Sequence, residues 1–365
     1  MKIIEIIPSL RSGGGERLVV DLCNELAKSN DVTLVTLWDD QLTDFGFYRQ
    51  ELSAKVHYIN MKLDERCRLQ VLWKIVECIR QVKPDVVHLH MCHMFAILAI
   101  LLLGRMYKFY LTIHNDIKTV YAATKIKIIF NVLGRLKLLR YVTISQTNYN
   151  DFNLIYPKLE NHLVYNGRAP LIPTERKGDV VTEINSYKMT SETKVFLHIA
   201  RCAPQKNQEL LIKAFNRFVE SGKDVILLII GSHFDDTPEG LFLKSIACDN
   251  VKFLGTKTNV GDYILCSDAF CLSSVFEGMP ITLIECVNSG IPVISTPVCG
   301  VIDVIKDKQN GILSKDNEIT SYNEALECFL ILECSLKNYC QATKKNSQYT
   351  IAQCAKGYEA IFGER

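Results

Sequence analysis

Apolar residues fall along this chain in two alternating rhythms. Short unbroken runs at residues 3–7, 32–37, 85–89 and 110–113, and again at 195–200, 225–230, 251–254, 269–272 and 292–295, show no in-and-out alternation. Such runs predict parallel strands covered on both faces. Between them, residues 18–26, 69–81, 208–220 and 281–288 carry apolar positions at helical spacing. Weaker strands are expected at 56–59, 141–145 and 163–166. Strand and helix in regular turn predict an α/β fold built on parallel sheets. The rhythm breaks at 167–179, where Pro170, Pro173 and Gly178 stand among charges, and a linker is expected there. The domains are then 1–170 and 171–348. A last helix at 349–365 presents Ile351, Cys354, Tyr358 and Phe362 on one face.

Length agrees with two domains, since 365 residues exceed what one ordinary core organises. A hydrophobic content of 48% with 22% charged residues is globular, and a net charge of +2 gives no reason to expect a nucleic-acid partner. The 14 cysteines are dispersed, form no C-x-x-C and sit mostly in apolar runs, which predicts buried thiols in a reducing cytoplasm. MKIIEIIPSL places Glu5 inside its apolar run and soon reaches Pro8, so it reads as a buried strand and not as a signal peptide. The longest apolar run, 94–103, is about half of what a membrane span needs. Residues 125–140 form a basic amphipathic segment, with Lys125, Lys127, Arg135, Lys137 and Arg140 among apolar neighbours. It either buries one stripe and leaves its charges in water, or rests on an anionic membrane surface.

Candidate chemistry concentrates in 276–300, FEGMPITLIECVNSGIPVISTPVCG. Pro280 stands at a helix start and Gly290 at its stop. The helix mouth near Gly278 and Met279 offers free N–H groups to an anionic phosphate. Glu285 lies five residues in, about 7 Å along the axis, where a carboxylate can accept from both hydroxyls of a ribose. Glu277, ahead of the mouth, faces whatever the phosphates carry. Arg201 and Lys206 follow the strand at 195–200 and can neutralise two phosphates, although a solvated charge pair would look the same. Gly13, Gly14 and Gly15 follow the first strand and let backbone approach a ligand. They do not complete G-x-G-x-x-G, because Leu18 takes its last position. His114 ends the strand at 110–113, where open α/β sheets place ligands. His88, His90 and His93, with Cys92, invite a metal reading, which the lack of an acidic or cysteine partner cluster disfavours. No metal and no cofactor are expected.

The two carboxylates at Glu277 and Glu285 resemble the Glu-x7-Glu segment of retaining glycosyltransferases in the "glycosyl transferases group 1" family. The resemblance extends through Gly13-Gly14-Gly15-Glu16, the run from Pro84 to His90, Ile113-His114-Asn115, Ile199-Ala200-Arg201 with Lys206-Asn207, Phe253-Leu254-Gly255 and the run from Gly290 to Ile294. It implies two Rossmann-like domains facing across a cleft, the GT-B arrangement, with the last helix crossing back to the first domain. It assigns His114 to the donor sugar, His90 to the acceptor side and Gly255 to the nucleobase. His114, Glu277, Arg201 and Lys206 become the catalytic set, and Gly14, Gly15, Gly255, Gly278, Met279, Pro280 and Glu285 the donor-binding set. Gly231-Ser232-His233 departs from the family's Gly-Asp-Gly.

The implied reaction moves a hexose from a nucleotide diphosphate sugar, UDP favoured over GDP, to a saccharide acceptor carried on a lipid. Retention of configuration, bacterial surface-polysaccharide biosynthesis and a cytoplasmic protein attached peripherally at the inner face of the membrane belong to the same expectation. The chain lacks the D-x-D with which another glycosyltransferase class holds its divalent ion. A glycosidase would need its two carboxylates on either side of one bond, which suits Glu277 and Glu285 poorly. A nucleotide-sugar 2-epimerase and a non-catalytic sugar-nucleotide binding protein remain as alternatives.

Overall fold

A computed structural model describes residues 1–41, 43–63, 68–90 and 94–364. The chain forms two compact units, one of Met1–Arg168 with Gln348–Arg365 and the other of Ala169–Ser347. The first unit holds seven parallel strands: β1 Lys2–Ile7, β2 Asp31–Trp38, β3 His57–Leu63, β4 Val86–His90, β5 Lys108–Ile113, β6 Arg140–Thr143 and β7 Asn161–Leu163. Their spatial order is β3-β2-β1-β4-β5-β6-β7. The order reverses between β1 and β4, the place at which an open parallel sheet opens a crevice for ligands. Ile3, Ile4, Ile6 and Ile7 are all buried, as a strand covered on both faces requires. The helix Gly14–Leu26 buries Leu18, Leu22 and Leu26, one turn apart, beside Val19 and Cys23.

The helix Ile351–Gly363 completes this unit. Thr350 caps it by accepting from the Gln353 N–H. Tyr110 donates from its hydroxyl to Ile361 O at 2.7 Å, Thr112 Oγ1 lies 2.9 Å from Tyr358 Oη, and Lys108 donates to Glu364 O at 2.7 Å. Three alternate residues of β5, on one face of the sheet, thus bond to this helix and to the residue that follows it. Gly167 permits the approach, because a Cβ there would lie 2.2 Å from Thr350 O.

The second unit has six parallel strands: β8 Lys194–Ile199, β9 Val225–Ile230, β10 Val251–Phe253, β11 Ala269–Leu272, β12 Val293–Ser295 and β13 Gly311–Leu313. Their order β10-β9-β8-β11-β12-β13 reverses between β8 and β11. Phe196 of β8 meets Phe215 and Phe218 of the helix Gln208–Glu220 and Phe329 of the helix Ile319–Thr343, with ring centroids 5.4 to 6.0 Å apart. Aromatic edges and aliphatic side chains from both helices cover that face of the sheet.

Several sequence expectations need correction. The last strand of the first sheet is Asn161–Leu163, not 163–166. The expected linker already contains a helix, Lys177–Tyr187, which buries only Val180 and Ile184. The basic segment is not one helix: it is helical over Thr124–Arg135, turns through Lys137 at φ +55°, and becomes β6 at Arg140. Arg140 is held by Glu160 at 3.0 Å and lies over the ring of Tyr110, so it does not belong to a free basic face.

Candidate functional site

In the second unit the loops that leave β8 and β11 are joined bond by bond. Val275 N donates to Gln205 O at 2.8 Å, Ser273 Oγ to Lys206 O at 2.8 Å, and Gln205 Nε2 to Phe276 O at 2.9 Å. Lys206 Nζ lies 2.6 Å from Glu277 Oε1, which also accepts from Ser274 Oγ at 2.6 Å. Thr296, just past β12, adds a bond from its hydroxyl to Ser274 O at 2.7 Å. Residues from three strand ends therefore fix one short stretch, 273–277, at the carboxyl edge of the sheet. Gly300 secures the next residues: at φ +73° it lies so close that a Cβ would stand 1.9 Å from Gly278 O.

That stretch feeds the helix Ile281–Ser289. Pro280 is the residue before the helix, with φ −62° and ψ 132°, and not its first turn as expected; no side chain caps the helix mouth. Its first N–H groups are consequently available to a ligand. Gly290 ends the helix in the left-handed conformation at φ +75°. Met279 and Glu285 are buried, Glu285 five residues into the helix. Gly255 takes φ +66° and accepts from the Gly231 N–H at 3.0 Å, while a Cβ on Gly231 would lie 1.9 Å from Ala200 O. The loops after β8, β9 and β10 are thus in contact through bare backbone.

The sequence assigned Lys206 to phosphate and Glu277 to the group beyond it. In the structure the two side chains form one ion pair. Arg201 is exposed and, among the described residues, its guanidinium makes no ion pair. The pair is close to neutral as a unit, which leaves Arg201 and the helix mouth as the unbalanced positive features of this edge. His198 on β8 escaped the sequence reading. It is fully buried, meets Cys271 O through Nδ1 at 2.9 Å, and is held down at about 4 by burial, the Lys206 charge adding to the effect against the bond to Cys271.

In the first unit Gly14 and Gly15 open the helix Gly14–Leu26, and Gly13 precedes it in extended conformation without a side-chain cap. Arg17 and Arg168 share Asp21, at 2.9 and 2.5 Å, one turn further on. His90, expected on the acceptor side, is 1% exposed and uses both ring nitrogens internally, so it lines no surface. Its Nε2 lies 2.7 Å from Glu5 Oε2 and its Nδ1 lies 2.9 Å from His114 Nε2. His114 follows β5 and is partly exposed.

The case against a metal rested on the absence of an acidic partner. Glu5 supplies one, because β1 pairs with β4 in a register that sets Glu5 beside His88. Glu5, His88 and His90 bring ligand atoms within 4.8 Å of one another, with Glu5 Oε2 2.7 Å from His90 Nε2 in hydrogen-bond alignment and 2.7 Å from His88 Nδ1 without it. His93 and Cys92 lie outside the described residues. The signal that could have found this cluster was Glu5 itself: a carboxylate inside a strand buried on both faces must be paired.

The sequence matches the family model "Glycosyltransferase Family 4" over residues 12–168 and the model "Glycosyl transferases group 1" over residues 181–348. A capsular polysaccharide biosynthesis glycosyltransferase of Staphylococcus aureus is 24% identical over 328 residues, 82% of each chain. The UDP-Gal:alpha-D-GlcNAc-diphosphoundecaprenol alpha-1,3-galactosyltransferase of Escherichia coli is 28% identical over 158 residues, 42% of this chain and 40% of that enzyme. Among solved structures, the Anabaena protein HepE in complex with UDP and glucose has the same fold throughout, with a TM-score of 0.80, 15% identity and full coverage of both chains.

Proposed function

Because the chain belongs to the glycosyl transferases group 1 family, we propose that it moves a hexose from a UDP-sugar to a saccharide acceptor carried on a lipid, with retention of configuration and without a metal ion. The observation that carries this reading is the rigid edge at 273–281. An uncapped helix mouth there adjoins the Lys206–Glu277 pair, and Arg201 stands in the neighbouring loop. Departure of a nucleoside diphosphate places negative charge on the β-phosphate. Fixed donors aimed at such developing charge each contribute on the order of 3 kcal/mol to the barrier. Arg201, the Lys206 ammonium and the uncapped N–H groups of the first helical turn from Ile281 are donors of this kind, and they take the part a divalent ion plays elsewhere. Glu285 receives the ribose and Gly255 the base, and the family resemblance gives His114 to the sugar.

The UDP preference draws on the bound UDP of the Anabaena structure, and the lipid-linked acceptor on the diphosphoundecaprenol named for the E. coli relative. Attachment at the cytoplasmic face of a membrane belongs to the same reading. No helix among the described residues is long and apolar enough to cross one.

The test is a panel of UDP, GDP, UDP-glucose and UDP-galactose scored by thermal shift, followed by transfer to a diphosphoundecaprenol-linked saccharide in saturating chelator. Stabilisation by the uridine compounds and chelator-insensitive transfer are expected, since a ligand that binds only the folded state raises its melting temperature. Activity lost to chelator and restored by magnesium or manganese would refute metal independence. Release of an epimerised free donor would make the protein a 2-epimerase, and binding without turnover a sensor.

A further inference from the structure

Glu5 sits in the middle of a strand, fully buried, between apolar neighbours. Burial pushes its carboxyl up, but His88 and His90 together reverse the effect and hold it at about 2, so it is an anion. Its Oε2 lies 2.7 Å from His90 Nε2 in hydrogen-bond alignment. His88 Nδ1 comes equally near without that alignment. From His90 the contacts continue to His114, Nδ1 to Nε2 at 2.9 Å. On the other side His88 Nε2 lies 2.7 Å from Thr112 Oγ1, which meets Tyr358 Oη of the last helix at 2.9 Å. Cys23 and Cys354 also border Glu5, and neither thiol is ionised there, because burial and the Glu5 charge push both upward.

A carboxylate can only accept hydrogen bonds, so the nitrogen that faces Glu5 must carry the hydrogen. His90 is accordingly protonated on Nε2. Burial, aided by His88, drives His90 down to about 4 against the pull of Glu5, and drives His114 well below its ordinary value. Both rings are neutral near pH 7. A neutral imidazole protonated on Nε2 has a bare Nδ1, and the bare Nδ1 of His90 can face His114 Nε2 only if that nitrogen holds the hydrogen. The sequence of bonds therefore has one direction, and its end is a bare Nδ1 on His114.

We propose that Glu5, acting through His90, is a positioning residue that fixes His114 as a hydrogen-bond acceptor, so that His114 receives a hydroxyl hydrogen from the sugar and does not donate to it. This rests on the reading of His114 as the residue that meets the sugar. Nδ1 forms no hydrogen bond among the described residues and is available for that contact. The device sets specificity: a site built around an acceptor discriminates strongly against a sugar whose hydroxyl is replaced by a group with no hydrogen to give.

Nitrogen-15 spectra of histidine-labelled protein test this directly, with His114→Phe identifying the His114 signals. In the wild type His90 and His114 should each show a protonated Nε2 and a bare Nδ1. Glu5→Gln keeps the shape but lets residue 5 donate as well as accept, so the chain can run backwards, and a form of His114 protonated on Nδ1 should appear. Turnover of UDP-glucose should fall at least tenfold in Glu5→Gln, with UDP affinity within twofold of wild type. Glu5→Asp, which restores a carboxylate, should restore the single tautomer. A proton on His114 Nδ1 in the wild type, or an unchanged tautomer in Glu5→Gln, overturns the proposal. Movement of the His88 and His90 signals on adding zinc to the wild type overturns it in favour of a cation site. The wild-type spectrum decides alone if the variants do not fold. Failure of the wild type to turn over any UDP-sugar would sink the transferase reading instead, and the nitrogen shifts would still decide the relay.

Discussion

Lys206 and Glu277 act as one group, and that changes what each substitution should do. With Glu277→Gln the ammonium keeps its place but loses its counter-charge. Binding of bare UDP should hold or tighten, while turnover falls about a hundredfold, a loss of about 2.7 kcal/mol in the barrier. Lys206→Ala should weaken UDP binding and turnover together. The double variant should lose clearly less than the two single losses combined, because both remove the same contact. Steady-state kinetics beside UDP titration give the cycle, and full additivity would mean that the ion pair is not part of the reacting site. The residue types needed here were legible in the sequence, but their pairing was not, since 71 positions separate the two partners. Glu5 and His90 are 85 positions apart. The trace of that contact in the sequence is a charge in an apolar strand, which does not name its partner.

Among the elements, the strands were the most legible, because an unbroken apolar run has few other uses in an α/β chain. Boundaries failed where tertiary packing overrode local pattern. Leu136, Leu138 and Leu139 continue the apolar content of the helix Thr124–Arg135, yet Lys137 turns the chain so that Arg140 can start β6. The strand Gly311–Leu313 is three residues long, too short for any period to show. The helix Lys177–Tyr187 hides because only Val180 and Ile184, one turn apart, face inward. The loop at 276–280 depends on a glycine that its own sequence does not contain. Gly300→Ala adds a methyl where Gly278 O stands and also strains a left-handed backbone, at a cost of about 1–3 kcal/mol. A lower melting temperature and at least a tenfold loss of UDP affinity are expected. A stability loss with unchanged affinity would detach this loop from the nucleotide.

For the whole molecule, family membership was legible because its motifs recur in order along the chain, so no one of them had to carry the case. Membrane attachment needs the structure to be sharpened. Ile128, Val132 and Leu136 form an exposed stripe at four-residue spacing, with Lys125, Arg135 and Lys137 exposed around it. Arg105 donates to Leu136 O at 3.3 Å, which brings exposed Met106 into the same area. Apolar side chains ringed by cations suit an anionic bilayer, where each basic residue near the surface adds about 1 kcal/mol. Changing Lys125, Arg135 and Lys137 to Gln should abolish co-sedimentation with anionic vesicles at low salt, whereas changing Arg140, already paired with Glu160, should not by that route. Binding that ignores lipid charge and salt would end the membrane reading.

The helix Ile351–Gly363 belongs to the first unit although all of Ala169–Ser347 precedes it. On a ribosome, the strand that bears Lys108, Tyr110 and Thr112 emerges early and waits for its partners while the entire second unit is made. That unit has every one of its strands before the helix arrives and can fold first. Tyr358, and with it one limb of the histidine cluster, joins last. A chain interrupted during synthesis could therefore hold a finished second unit and still lack the closed first one, so the order of translation itself withholds the completed histidine cluster from partial products.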